Sequence, residues 1–528
     1  MWVLRKICFL IIALFIFCSC RKPASANWDV DVVFPVVKST LNIKNFIGDS
    51  IFVADNTGLL SLNVTREIIS IKLDSLLKLP DTTIVNTFTI PAVFPTTLTP
   101  GQALTFFPAS ELNFNISNGV AIKKLDIRSG ILTVKFTNDL AEPLDLLYII
   151  PSAVKNGQPL KIFETIPPNN VPLIKSYSLA GYTLNMRGLN GVLYNTIAQA
   201  YTVTVNPNAN PVVVTFGQGA KATLSYSNII PEYVEGYFGQ QTIALPLDTA
   251  RFDIFNNFQA SNFLLNSASI NFKILNEFGA EFTSNLSNIQ SVNSINNTTV
   301  ALTGGLLSNI NINRASKVGA TIYPSIKSIS VTNTNSNIVP FLSNLPNKLT
   351  YQGSIDVNPL GNISGYNDFA FYNTGIKVLA DINIPLRFNA DYFKLTSIST
   401  VDFSNVKQLE NVNHGNFVVS ALNGYPFRAQ IQAYLVDGNN QVVDSLFLPG
   451  ANFIERGVLD AQNIVTMPTQ SKLNVPISQL KIENLKKTKT IKLVTYFLMP
   501  ANPPDIKLYE NYSFDVNIVA ELNYHVNP

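Results

Sequence analysis

Side chains able to do chemistry are few. His414 and His525 are the only imidazoles, and the three cysteines, Cys8, Cys18 and Cys20, all lie within the first twenty residues. A zinc site needs three or four N or S donors, so no metal ligand is assigned. No Gly-x-Ser-x-Gly elbow occurs, and Gly217-x-Gly219 and Gly304-Gly305 lack the spacing and the Lys of a phosphate loop. Asp437-Gly438-Asn439-Asn440 is rich in side-chain oxygen, but between two apolar runs it reads as a hairpin turn, not a calcium loop. His414, in Asn413-His414-Gly415, is read as a turn residue. Carboxylates remain: two acids far apart in sequence can meet and hydrolyse a glycosidic bond. That reading requires a cleft holding two acids with perturbed pKa values. Trp28 is the only Trp beyond Trp2, which is few for stacking on sugars. No catalytic residue and no cofactor is assigned, and the chain is expected not to be an enzyme.

The cysteines point to a modification. Arg5 and Lys6 precede an apolar run from Ile7 to Cys20 broken only by Ser19. A charged start and a short apolar stretch form the pattern of a secretory signal, too short to span a bilayer. Phe17-Cys18-Ser19-Cys20 at its end resembles the lipobox of Gram-negative bacterial lipoproteins, in which a small residue precedes a Cys that is acylated and becomes the new N-terminus. Ser19 takes the small position, and Phe17 stands where that family usually has Leu. The resemblance implies signal peptide 1–19, lipidation (palmitate among the acyl groups) at Cys20 and a polar tether over 20–40. It implies an outer-membrane location with the membrane as a partner through lipid on Cys20. Cleavage would remove Cys8, Cys18, Arg5 and Lys6, leaving no free thiol and a formal charge of +1 instead of +3. So even a balance excludes a nucleic-acid binder that works by basic excess.

The elements that must position any site are strands. Ile131–Phe136, Tyr201–Val205 and Tyr512–Val526 alternate apolar and polar residues, and Val, Ile, Thr, Tyr and Phe dominate them. Ser117-Asn118-Gly119 and Asn423-Gly424 mark turns, and thirty Pro oppose long helices. The fold class expected is all-β: tandem antiparallel β-sandwich modules, Ig-like, with one or two short helices. The helices are expected at Leu73–Leu79 and at 478–487, the latter capped by Ser478 with Leu480, Ile482 and Leu485 on one face.

A repeat runs through the chain. Leu132-x-Val134-x-Phe136-x-Asn138 recurs as Ile270-x-Phe272-x-Ile274-x-Asn276 and as Phe417-x-Val419-x-Ala421-x-Asn423. Each reads as an inward-facing strand whose Asn makes the turn to the next strand. The strand–Asn–strand element resembles LEA-14/WHy-type β-sandwiches, although the Pro of that family's Asn-Pro-Asn turn is absent from all three copies. Asn206-Pro207-Asn208 has it but lies outside the repeat. Modules are expected at 41–120 (an N-terminal β unit), 121–250, 251–375 and 376–528. Gly236-Tyr237-Phe238-Gly239 is a candidate exposed aromatic loop, with Tyr237 and Phe238 meeting a partner.

These features lead to a lipid-anchored cell-envelope protein that binds or scaffolds, with an envelope protein as partner. Two alternatives are a carrier of a small hydrophobic ligand, which requires an apolar tunnel, and the carboxylate hydrolase. A mean hydropathy of +0.19 fits dry cores, an apolar groove or an outer-membrane barrel; the barrel fits least, since many runs are shorter than the ~9–11 residues that cross a bilayer. Replacing Cys20 by Ala is expected to move the protein from the membrane to the soluble fraction of lysed cells. Unchanged membrane retention would refute acylation there.

Overall fold

The computed structural model describes residues 28–44, 51–89, 95–255, 258–304, 307–401, 403, 412–448, 450, 452–500 and 506–526. The signal segment and Cys20 therefore lie outside the described residues. The fold is all-β: 63% of the described residues are strand and 5% helical. Three long strands lie early in the chain: β1 (Trp28–Leu41), β2 (Leu60–Lys72) and β3 (Thr82–Thr89). Next come β4 (Ala121–Asn138), β5 (Leu144–Lys155) and β6 (Gly219–Tyr237). A further group is β7 (Ser269–Asn276), β8 (Phe282–Asn293), β9 (Asp368–Phe371) and β10 (Gly375–Pro385). The last are β11 (Val412–Asn423), β12 (Arg428–Val436) and β13 (Phe514–Val526). Shorter strands between them complete the sheets.

The pairing is nested. β1 pairs with β13, β2 with β10 and β3 with β6, all antiparallel. On their other edges β13, β10 and β6 pair with β11, β7 and β4. The result is three modules, each made of an early strand, a late strand and a strand ending in Asn. The first is a ten-stranded sheet; the second has two five-stranded sheets; the third has a four-stranded and a six-stranded sheet; nearly all of their buried apolar residues form one continuous cluster. The chain climbs through all three on β1, β2 and β3, then returns through the first, second and third in turn.

This topology redraws the expected boundaries. The 41–120 stretch is not a unit: β2 belongs to the second module, while β3 and Ala103–Asn113 belong to the first. The partners β10 and β6 lie hundreds of residues from β2 and more than a hundred from β3, and so leave no local signal in the sequence.

The repeat strands bury the residues their alternation predicts. In β7 every second side chain faces in: Ile270, Phe272, Ile274 and Asn276. Fully burying an aliphatic or aromatic side chain contributes about 1.5–3 kcal/mol. Asn138, Asn276 and Asn423 are each 0% exposed. In all three, Oδ1 accepts from the backbone N–H two residues on, at 2.9 Å (Leu140, Phe278, Tyr425). Nδ2 donates to the carbonyl four residues on: Glu142 at 2.8 Å, Ala280 at 2.9 Å and Phe427 at 2.8 Å. Asn276 and Asn423 also donate to the carbonyls of Asn313 and Glu455. The amide satisfies buried backbone groups where the chain leaves one layer for the next. None of the three has positive φ, whereas thirteen of the fifteen described non-glycine residues that do are Asn, all at other positions.

Three short helices occur among the described residues: α1 (Leu73–Leu76), α2 (Ile338–Ser343) and α3 (Gln479–Lys487). α1 is a single turn, shorter than expected, and α2 has no signal in the sequence reading. Ser478 caps α3, its Oγ accepting from Lys481 N–H at 3.3 Å. Ile482 and Leu485 are buried, but Leu480 is 65% exposed and not on the buried face. His414 lies in β11, not in a turn, whereas Asp437–Asn440 does turn the chain, with Asp437 Oδ1 accepting from Asn439 and Gln441 N–H.

Replacing Asn276 or Asn423 by Ala would orphan three backbone groups in the interior. Each substitution is expected to cost about 2–4 kcal/mol, read as a lower urea midpoint.

Candidate functional site

Modules one and two are welded by a borrowed strand. β9 lies between two second-module strands in sequence but pairs with β6 of the first, Phe371 opposite Tyr233 and Asp368 opposite Gly236. Glycine is required at two points, Gly279 against β9 and Gly236 against β4 on the other side of β6. A Cβ on Gly236 would stand 2.2 Å from the Ala121 carbonyl, and one on Gly279 would stand 2.1 Å from the Phe369 ring. Asp368, 1% exposed, accepts from Phe238 N–H at 3.0 Å and Asn358 Nδ2 at 2.8 Å.

Above this weld β6 bulges. Its register slips repeatedly between Ser227 and Tyr233, and Asn228 takes φ +52 with its N–H bonded to Asp81 Oδ1 at 3.0 Å. A bulge bends its strand and re-aims side chains. Here it opens a cleft of about 520 Å³ between β6, the α1 segment and the end of β9. Leu77, Leu79, Ile229, Pro231 and Tyr372 form its apolar lining, and Lys72, Asp74, Lys78 and Asp81 its charged rim. Arg128 lies 4.1 Å from the Tyr372 ring centroid and pairs with Glu232 at 2.9 Å, which fixes that wall.

A second, open concavity of about 220 Å³ lies on the same weld, lined by Lys124, Asp126, Tyr233, Glu235 and Lys317 among others. Glu235 bonds Lys123 at 2.7 Å and Lys317 at 3.4 Å, and accepts from the Tyr233 hydroxyl. Lys317, on a second-module hairpin, also donates to that hydroxyl. Burial alone would raise the Glu235 pKa, but the bonds from Lys123 and Tyr233 and the Lys317 charge outweigh it and hold the carboxyl at about 2. Burial, with the Glu235 carboxylate beside it, pushes the Tyr233 phenol far above its ordinary value. Both groups are thus locked in their ordinary charge states. A glycosidase acid needs a raised pKa, so Glu235 is suited to an electrostatic clamp between modules and not to donating a proton.

The sequence-derived candidates fall in several places. Phe238 is fully buried and Tyr237 half-buried at the end of β6, its ring edge-on to Tyr366 at 6.2 Å, so the exposed aromatic loop is corrected to an inward-turned joint. Gly239, at φ +74, makes the turn that directs the Phe238 ring inward. Asn138, Asn276 and Asn423 form the buried turns described above. His525 Nδ1 lies 2.8 Å from Asp29 Oδ1 on exposed strand ends. No group of three or more His, Cys, Asp or Glu able to hold a metal occurs among the described residues. No described helix is long and apolar enough to cross a membrane. Within the cores, two further cavities are about 20 and 10 Å³, room for a water and not for an acyl chain. The cleft itself went unread, although Asn228 and Pro231 inside an apolar strand pattern are bulge signals.

No family model and no curated protein matches the chain. Among solved structures it is similar to a candidate secreted protein from Parabacteroides distasonis, at 14% identity and TM-score 0.27, covering 53% of this chain and 82% of that one. It is also similar to the infectious bursal virus T=1 particle protein, at 10% identity and TM-score 0.12, covering 91% and 83%. Nothing below rests on either likeness.

Glu235→Gln tests the clamp. A depressed carboxylate stabilises the fold fully above its ordinary value near 4.5, and that contribution is lost as pH falls toward 2. The variant is expected to lose about 1–3 kcal/mol at neutral pH and to show a flatter decline in stability between pH 4.5 and 2. An unchanged acid limb in thermal melts would refute the clamp.

Proposed function

We propose that this chain is a lipid-anchored protein of the Gram-negative cell envelope that binds or scaffolds a partner and performs no catalysis. The anchor at Cys20 rests on the lipobox resemblance. The binding half rests on one observation: a preformed cleft of about 520 Å³ at a bulged strand, between two modules welded by β9 and the Glu235 clamp. Ligand sites are typically concave, about 300–1,000 Å³, mostly apolar and rimmed by a few polar groups, and the cleft has this make-up. A rigid wall needs no ordering when a partner arrives, which favours affinity.

The outer membrane is the proposed location, and an envelope protein the proposed partner. The apolar lining favours a second reading, in which the occupant is a small hydrophobic ligand held at the surface.

Site-specific photo-crosslinking in intact cells tests both. A photoreactive residue replaces Ile230, 41% exposed at the cleft, or Phe163, 65% exposed on β5's neighbouring strand, as the control. A protein adduct specific to position 230 supports the first reading, and a lipid adduct the second. Equal labelling at both positions, or none, would overturn the cleft as a binding site.

A further inference from the structure

The end of the third module where β1 begins has two chemically different faces. Register places Trp28 opposite Val526, Val30 opposite Tyr524 and Val32 opposite Leu522. Residues opposite one another share a face, and this one is continuous with the core, because Leu522 and Ala520 are buried on it. Toward the strand end the cover thins: Val32 is half-buried, Val30 37% exposed and Trp28 49% exposed. The other face carries Asp29 and Asp31 opposite His525 and Asn523, and these polar side chains bond one another. Trp28, Asp29, Val30 and Asp31 are all exposed, so both faces of the first residues of β1 are accessible.

Tether length decides what can meet that apolar ledge. Eight residue steps separate Cys20 from Trp28; fully extended they span at most about 26–29 Å. The opposite end of β1, at Leu41, is another 14-residue strand length away, about 45 Å. An acylated Cys20 therefore holds the Trp28 end within about 29 Å of the bilayer, a limit it does not place on the far end. Trp and Tyr favour the headgroup region, where a ring buries its body and keeps its N–H or O–H wet.

We propose that the ledge formed by Trp28, Val30, Tyr524 and Val526 seats in the interfacial layer of the membrane that carries the anchor. The Asp29–His525 face turns to water. The ledge thereby sets the angle of the third module on the membrane, which a single point of attachment cannot do. This rests on the anchoring proposed above.

Trp28 reports on it directly, since Trp2 leaves with the signal and no other Trp exists. The mature lipidated protein is reconstituted on vesicles of phosphatidylethanolamine and phosphatidylglycerol. Flotation is measured alongside Trp emission and acrylamide quenching, with the unacylated mature chain (residues 20–528 carrying Cys20→Ala), which also holds Trp28 alone, free in solution as reference. The expected result is co-flotation, a blue-shifted emission and several-fold weaker quenching than the reference, with Val30→Asp restoring the quenching while still floating. Co-flotation with Trp28 quenched as in the reference would overturn the seated ledge and leave the anchor standing. Failure to float would overturn the anchor and the ledge together.

Discussion

Each late strand has two edges of backbone N–H and C=O groups to satisfy. β13, β10 and β6 bond their Asn-bearing neighbours on one edge and β1, β2 and β3 on the other. Without those early strands, a central strand in each module would become an edge beside a hydrophobic core, which is a template for aggregation. The structure depends on this pairing. The most distant pair, Trp28 with Val526, joins strands from opposite ends of the chain. Such non-local closure implies slow folding, and the early strands must stay unpaired until their partners exist.

The joints between modules show how a chain with so few charges uses them. Only 13% of residues are charged, yet the first weld gathers Lys123, Lys317 and Glu235 where two modules meet. The second joint uses backbone instead. Leu60, Leu386 and Leu508 form a ring of three hydrogen bonds, 2.8–3.0 Å long, in which β2, β10 and the segment before β13 cross. Strand exchange at the first joint and this ring at the second make the modules a continuous body. The bulged cleft lies beside the first of these joints, its lining drawn from both modules.

The three Asn turns show the same constraint at smaller scale. A chain that leaves one strand for the next through a link of four or five residues leaves buried backbone groups without ladder partners. A side-chain amide accepts with its oxygen and donates twice with its nitrogen, so one Asn serves the N–H two residues on and the carbonyl four residues on together. Asp in its place would lose the donor to the carbonyl of Glu142, Ala280 or Phe427. This explains why the same residue closes all three strands while the residues after it, Asp139, Glu277 and Gly424, differ.

What the sequence determined by itself was local. Alternation with a period of two specifies which face of β4, β7 and β11 is buried, because the pleat turns every second side chain inward. Their terminal Asn were legible as turns, as was the cap at Ser478. Tertiary structure decided which strands pair, that 41–120 is shared between modules, that Phe238 turns inward and that a bulge at Asn228 opens a cleft. Strand hydrogen bonds run between backbones, which are alike at every residue, so sequence carries little trace of a partner hundreds of residues away. The cleft, too, arises from the relation between elements, and no single segment encodes it.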